Sequence, residues 1–321
     1  MLNLSHLSVA EIYGQYSRLE RPIPKDWVAA LQVDERLGVQ RIYRRARQQL
    51  ENQAQECRRI ESMLEIEQLL WQSGYQQVAG VDEVGMGPLA GPVVAAAVTF
   101  PPGVFISGID DSKRIPPVKR EALARIVRKQ ALGVGLGVAE VSEVDQLNVY
   151  YAGLLAMRRA VGRLPFRPDH ILIDAKRLPQ LSIPQQSITK GDQRSFSIAA
   201  ASIVAKTWRD QLMVKLHARF PQYGFNRHKG YCTREHQKAL RRHGPCVVHR
   251  KSFNVIQELC GEFSTVFYQL RSEICALSGA ADFHAFEERF ERLHGQLAQA
   301  EKQKIRLLLA RRRGQLQLLG D

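Results

Sequence analysis

The reading of the fold turns on residues 80–100, GVDEVGMGPLAGPVVAAAVTF. A short apolar run starting at Gln77 stops at two adjacent acids, Asp82 and Glu83. A glycine-rich turn, Gly85-Met86-Gly87, follows at once. Residues 91–100 then form a continuous apolar run of the kind found in strands buried on both faces. Two strands joined through a glycine turn, the first ending in carboxylates, predict an α/β sheet that presents acids beyond its strand ends, where such sheets hold ligands.

Working outward, ALGVGLGVAEV (131–141) reads as a third strand, HILID (170–174) as a fourth that again stops at an acid, and QSITK (186–190) as a fifth. Between them, residues 142–164 carry helical spacing at Val144, Leu147, Tyr151, Leu154 and Leu155, with Ser142 as the expected N-cap. Residues 194–220 predict one long helix with small residues, Ala199 to Ser202, on a close-packed face. Strands followed by strand–helix alternation give an α/β layered domain. Residues 1–72 are rich in Gln, Glu and Arg and read as helical, as does the chain after Phe253, which ends in the basic run Arg311-Arg312-Arg313. The expected organisation is a helical N-terminal extension (1–76), an α/β domain (77–261) and a helical basic C-terminal extension (262–321).

The 321-residue chain carries 46 Lys+Arg against 32 Asp+Glu, a net charge of +14, with a pI near 9.8. That balance favours a polyanionic partner such as nucleic acid. Five cysteines without a CxxC pair indicate neither a disulfide framework nor a zinc site and suit a reducing, cytoplasmic location. The N-terminus is too polar for a signal peptide, and no apolar run reaches the ~18 residues of a membrane span.

Asp82 and Asp174 end strands, Glu83 adjoins Asp82, and Asp192 lies just before a helix. If the two strands are neighbours, these four acids share a cleft. They would repel one another there unless hard divalent cations, which take oxygen ligands, held them together. Two such ions about 4 Å apart can activate water and stabilise the leaving oxygen of a phosphodiester. A basic protein with an acidic cleft therefore has the makings of a nuclease. Residues 224–253 mix cations with aromatics, which suits either a nucleic-acid face or a surface loop followed by a solvated helix. His228, His236 and His249 lack the spacing of a zinc signature. Asp210 lies more than about four helical turns beyond Asp192 and reads as structural.

Five ordered motifs, AGVDEVGMGPLAGPVVAAAV, GIDDSKRI, ILIDAKRLP, ITKGDQRSFSIAAASIVAKTWRD and YGFNRHKGYCTREHQKALRRHGPCVVHRKSF, together resemble the type 2 ribonucleases H, bacterial ribonuclease HII. The resemblance covers roughly residues 77–256. The N-terminal helical segment looks like extensions of some members, and residues 262–321 have no familiar counterpart. The resemblance implies a ribonuclease H-like fold, a mixed sheet flanked by helices. It implies cleavage of the RNA strand of RNA–DNA hybrids and nicking of duplex DNA 5′ of an embedded ribonucleotide, leaving a 3′-hydroxyl and a 5′-phosphate. It implies Mg²⁺ or Mn²⁺ held by Asp82, Glu83, Asp174 and Asp192, with no membrane and no obligate protein partner.

The same resemblance assigns Tyr231 to stack on the deoxyribose after the ribonucleotide. The Gly85-Met86-Gly87 turn is assigned to approach the 2′-hydroxyl, the contact that separates RNA from DNA. Lys113, Lys190, Lys206 and Lys229 become phosphate contacts. The family's turn is Gly-Arg-Gly, so Met86 removes a cation and weakens the expected junction recognition. Two alternatives follow: a hybrid nuclease with weakened junction specificity, and a catalytically idle nucleic-acid-binding module.

Overall fold

The computed structural model describes the chain apart from residues 1, 21, 180, 260–262 and 321 and the side chains of 258, 280, 300 and 316–320. Five strands, β1 (Val78–Val84), β2 (Val93–Thr99), β3 (Gly133–Ala139), β4 (His170–Asp174) and β5 (Gln185–Ile188), form one mixed sheet in the order β3-β2-β1-β4-β5. All seven residues of β2 are buried, as its unbroken apolar run predicts, whereas β3 at the edge alternates buried and half-buried positions. β1 pairs in parallel with β4, and β4 with β5.

The helices are α1 (Val9–Arg18), α2 (Lys25–Val33), α3 (Leu37–Met63), α4 (Glu65–Gln72), α5 (Pro117–Gln130), α6 (Val141–Leu147), α7 (Val149–Gly162), α8 (Gly191–Arg194), α9 (Phe196–Arg219), α10 (Phe225–His228), α11 (Arg234–His243), α12 (Asn254–Leu259), α13 (Thr265–Ala276), α14 (Ala280–Leu293) and α15 (Gln299–Gly320). None among the described residues is long and apolar enough to cross a membrane.

Two compact units are distinguished. The first comprises Met1–Asp82, Ala95–Gly137 and Met157–Thr207; the second comprises Glu83–Val94, Val138–Ala156 and Trp208–Asp321. In the first, α1–α3 enclose a small core of Ile12, Tyr16, Trp27, Leu31, Val39 and Ile42. A capping box between Ser8 and Glu11 starts α1. Glu67 of α4 is 1% exposed. Its Oε1 accepts from Ser195 Oγ (2.6 Å), Ser197 Oγ (2.6 Å) and Ser197 N (2.9 Å), which ties α4 to the start of α9. In the second unit, α13–α15 build their own core from Phe267, Leu270, Ile274, Phe286, Phe290 and Ile305.

The segment 142–164 departs from its expected form. It is two helices rather than one, and Glu140, not Ser142, caps the first. Asn148 breaks the run with φ 73°. Its side chain accepts from the N–H groups of Tyr150 and Tyr151 and so restarts the chain as α7. Hydrophobic spacing persists across such a break, which is why periodicity alone misses it.

Candidate active site

The parallel register of β1 and β4 pairs Val81 with Ile173, so Asp82 and Asp174 each follow a paired residue at the same end of adjacent strands. Gly80, two residues before Asp82, shares its face of the sheet. A Cβ on Gly80 would stand 2.2 Å from the carbonyl carbon of Ser197, so only glycine lets the start of α9 close against this face. Asp174 is in turn in register with Ile188 of β5. Two residues on, Lys190 adopts φ 56° and turns the chain into α8, which carries Asp192. The N–H of Gly191 donates to Asp174 Oδ1 at 2.7 Å and binds the two acid-bearing turns together. Ala175 is also left-handed, at φ 47°. Ala175 directly follows Asp174 and Lys190 lies two residues before Asp192, each in a conformation that costs a non-glycine residue on the order of 1 kcal/mol or more.

Asp82 and Asp192 are 6% and 8% exposed. Burial, then the negative charges of Asp111 and Asp174, push the Asp192 carboxyl above the usual carboxylate range, and Lys113 acts against them. Asp111 comes from the loop before α5. Its Oδ1 accepts from the Lys113 N–H at 2.9 Å, and Gln193 Nε2 stands 3.5 Å from its Oδ2. The loop is fixed from below: Arg120 of α5 donates to the carbonyls of Ser112 and Ile115, and the Ser112 hydroxyl meets that of Ser202 on α9 at 2.9 Å. Among the described residues no three His, Cys, Asp or Glu side chains converge as a ready-made cation site. The donor set nonetheless fits hard divalent ions, since it offers only carboxylate oxygens, partly desolvated and mutually repelling. Glu83, next along β1, is half-buried and begins the second unit.

Within that second unit the Gly85-Met86-Gly87 turn and Tyr231 come together: a Cβ on Gly87 would lie 3.9 Å from Tyr231 Cε1. Two arginines, both 0% exposed, hold this patch from inside. Arg250 donates to the carbonyls of Gly85 (2.6 Å), Met86 (3.0 Å) and Gly91 (2.9 Å). Arg209 donates to Ala90 (3.0 Å), Pro92 (3.1 Å) and Lys229 (3.1 Å). Gly85 has φ 92°, and a Cβ there would stand 2.3 Å from Arg209 Nε. Burial brings Arg209 down to about 10; burial and the neighbouring Arg209 bring Arg250 down to about 9. Both remain cations at neutral pH.

The ribonuclease HII family model matches residues 79–256, and the ribonuclease HII N-terminal domain model matches residues 8–71. The chain belongs to the ribonuclease HII family. A ribonuclease HII of Myxococcus xanthus is 45% identical over 259 residues, covering 80% of this chain and 88% of that one. One of Moorella thermoacetica is 53% identical over 200 residues, covering 62% and 97%. Among solved structures, the ribonuclease H2 from Pyrococcus horikoshii OT3 matches with a TM-score of 0.51 at 22% identity, covering 58% of this chain and 98% of that one, a likeness in fold. As a ribonuclease HII the protein is a ribonuclease H endonuclease with a mixed sheet flanked by helices.

The four lysines named from the ribonuclease HII motifs differ in their surroundings. Lys113 is exposed and lies within electrostatic reach of Asp192. Lys190 is exposed and has a backbone role at its left-handed turn. Lys206 is half-buried on α9. The Lys229 ammonium donates to the Asn226 carbonyl. Asp111, Glu67, Arg209 and Arg250 were not singled out from the sequence. Asp111 had a signal: it is half of the acid pair Asp110-Asp111, the same arrangement as Asp82-Glu83. The arginines gave none, because a buried cation that serves main-chain carbonyls looks like any surface cation in a basic sequence.

Proposed function

We propose that this ribonuclease H cuts the RNA strand of RNA–DNA hybrids and nicks duplex DNA 5′ of an embedded ribonucleotide, leaving a 3′-hydroxyl and a 5′-phosphate. Asp82, Glu83, Asp174 and Asp192 hold Mg²⁺ or Mn²⁺, within a catalytic domain spanning 77–261 that is flanked by the extensions 1–76 and 262–321. The observation that carries this reading is the row of acids at the ends of β1 and β4 and on α8, with Asp192 raised by burial and then by its acidic neighbours. Activation of water and stabilisation of the leaving oxygen is the chemistry a divalent cation pair supplies in such a cradle. The protein's own residues do the rest. The glycines of the 85–87 turn let main chain approach the 2′-hydroxyl, and Tyr231, 40% exposed, offers a ring face to the deoxyribose that follows. Lys113, Lys190, Lys206 and Lys229 take phosphates. The free cysteines at 57, 232, 246 and 275 agree with action in a reducing cytoplasm. The substrates, hybrid duplex and ribonucleotide-containing DNA, require no protein partner.

A specific residue favours a second reading, a hybrid nuclease with weakened junction preference: Met86 stands where the family turn carries an arginine. One assay separates the readings. A duplex with a single ribonucleotide and an all-hybrid duplex are cut side by side, with Mg²⁺ and with Mn²⁺. Asp82→Asn, Asp174→Asn and Asp192→Asn are each expected to abolish cleavage and keep duplex binding, since affinity comes from cations on phosphates. Near-normal turnover in any of the three would remove that residue from the cradle. Hybrid cleavage without nicking at the single ribonucleotide would select the second reading.

A further inference from the structure

The turn that carries Tyr231 is held by an array of imidazoles whose proton positions can be assigned. The N–H of Cys246 donates to His249 Nδ1 at 2.9 Å. A ring nitrogen that accepts carries no proton, so the His249 proton sits on Nε2. That Nε2 lies 3.0 Å from His236 Nε2, which must then accept. The His236 proton is therefore on Nδ1, 2.9 Å from the Tyr231 carbonyl oxygen. One backbone donor at Cys246 thus fixes the direction of the whole chain, through His249 and His236 to Tyr231. A side branch is fixed the same way. Gly230 N–H donates to His228 Nδ1 at 3.2 Å, which leaves Nε2–H of His228 for the Tyr223 carbonyl at 2.7 Å. His236 and His249 are 0% and 1% exposed. Their ring nitrogens are all engaged in this relay, so none is offered to a metal.

The rest of the turn is accounted for equally fully. Lys229 and Gly230 are left-handed, at φ 52° and 87°. Lys229 O accepts from Arg209, Gly230 O from Leu89 N at 2.8 Å, and Tyr231 N donates to His228 O at 2.9 Å. Tyr231 O accepts from His236 and from Thr233 N at 2.8 Å. Tyr231, 40% exposed, takes the direction of its Cα–Cβ bond from this main chain.

We propose that His236 is a positioning residue for junction recognition, held in its donating tautomer by His249: a neutral, one-directional imidazole relay that fixes the main chain of Tyr231 and so aims its ring at the sugar after the ribonucleotide. This rests on the reading of Tyr231 as a sugar platform. It makes the relay a determinant of selectivity for embedded ribonucleotides over hybrid, where no deoxyribose follows the cut on the same strand.

Amide substitutions test it, because asparagine places its N–H near the Nδ1 position of histidine and glutamine near Nε2. His236→Asn keeps a donor for Tyr231 O; His236→Gln and His236→Phe do not. KM and kcat are measured for the full chain on the single-ribonucleotide duplex and on the hybrid, with Tyr231→Ala alongside and melting temperature as the control for folding. His236→Phe and His236→Gln are expected to raise KM on the single-ribonucleotide duplex by about tenfold, the order expected for losing one buried hydrogen bond, with far less change on hybrid. His236→Asn is expected to stay within about threefold of the parent. Should His236→Phe fail to fold, the Asn/Gln pair decides alone. Equal behaviour of Asn and Gln, or equal loss on both substrates, overturns the relay while leaving Tyr231 its role if Tyr231→Ala still costs selectivity. Unchanged selectivity in Tyr231→Ala overturns the platform and the relay together.

Discussion

On the proposed reading, Met86 bears on recognition and not on the chemistry. The carbonyls on its side of the turn point at Arg250, so the turn's geometry is set from below and does not depend on the side chain at 86. Met86→Arg would add a third cation above two buried ones, and repulsion would send it outward toward phosphate. We expect about tenfold tighter binding to a single-ribonucleotide duplex. The slope of log K against log salt should steepen by about one contact, with the cut position unchanged. Binding and salt slope equal to the parent would mean that position 86 does not face the backbone. The histidines make a second residue-scale prediction. Burial, foremost, lowers His236 from 6.5 to about 4 and His249 from 6.5 to about 3. The unfolded chain therefore binds protons that the folded one refuses. The stability they leave intact above about pH 6.5 is lost progressively as pH falls toward 4 and 3. Thermal melts from pH 8 to 4 should show a decline that His236→Asn makes shallower; an identical pH slope in that variant would remove the pair as its cause.

At the scale of elements, α4 is joined to α9 by one carboxylate, Glu67, whose Oε1 accepts three hydrogen bonds while Oε2 is buried without one. Burial, the leading cause, raises its pKa against those bonds. An acid raised in the folded state weakens stability as pH climbs past its ordinary 4.5. Glu67→Ala should cost about 2–4 kcal/mol by orphaning Ser195 and Ser197. Glu67→Gln should melt close to the parent at pH 8, because it keeps an acceptor and sheds the charge. A Glu67→Gln protein as unstable as Glu67→Ala would mean the negative charge itself is required. β1, β2 and β4 were legible from their apolar runs, and the acid ends of β1 and β4 from the acids that stop them; the fifth strand, expected at 186–190, runs Gln185–Ile188. The Asn148 break was not legible, since it depends on one side chain capping its own main chain. Asp111 was visible as half of an acid pair, but not as a neighbour of these acids, which it reaches through a loop closed by Arg120. Sequence periodicity records which face is buried; it does not record which polar atoms meet once it is.

At the scale of the molecule, the basic tail has structural work that its composition hides. Arg313 pairs with Glu287 at 2.8 Å and lies over the Phe283 ring, Arg312 donates to the Leu277 carbonyl, and Arg311 donates to the Asp145 carbonyl at 3.4 Å. This basic run is spent in large part on contacts within the second unit. Deleting residues 262–321 should therefore lower the melting temperature yet leave both the cut position and the salt dependence of binding close to those of the full chain. A flatter salt slope in the truncated protein would return these arginines to the nucleic acid. The strand order has a further consequence, for the protein's own synthesis. β1 leaves the ribosome about ninety residues before β4, its partner in the sheet, and Glu67 waits still longer for Ser195 and Ser197. The helices of residues 9–63 already have a core and can fold as they emerge, but the acids of β1 remain apart from those of β4 and α8 until the chain has passed Asp192. Tyr231 and Arg250 come later again. A nascent chain of this protein thus lacks the assembled row of acids until Asp192 has been made, and the turn held by Arg250 until later still.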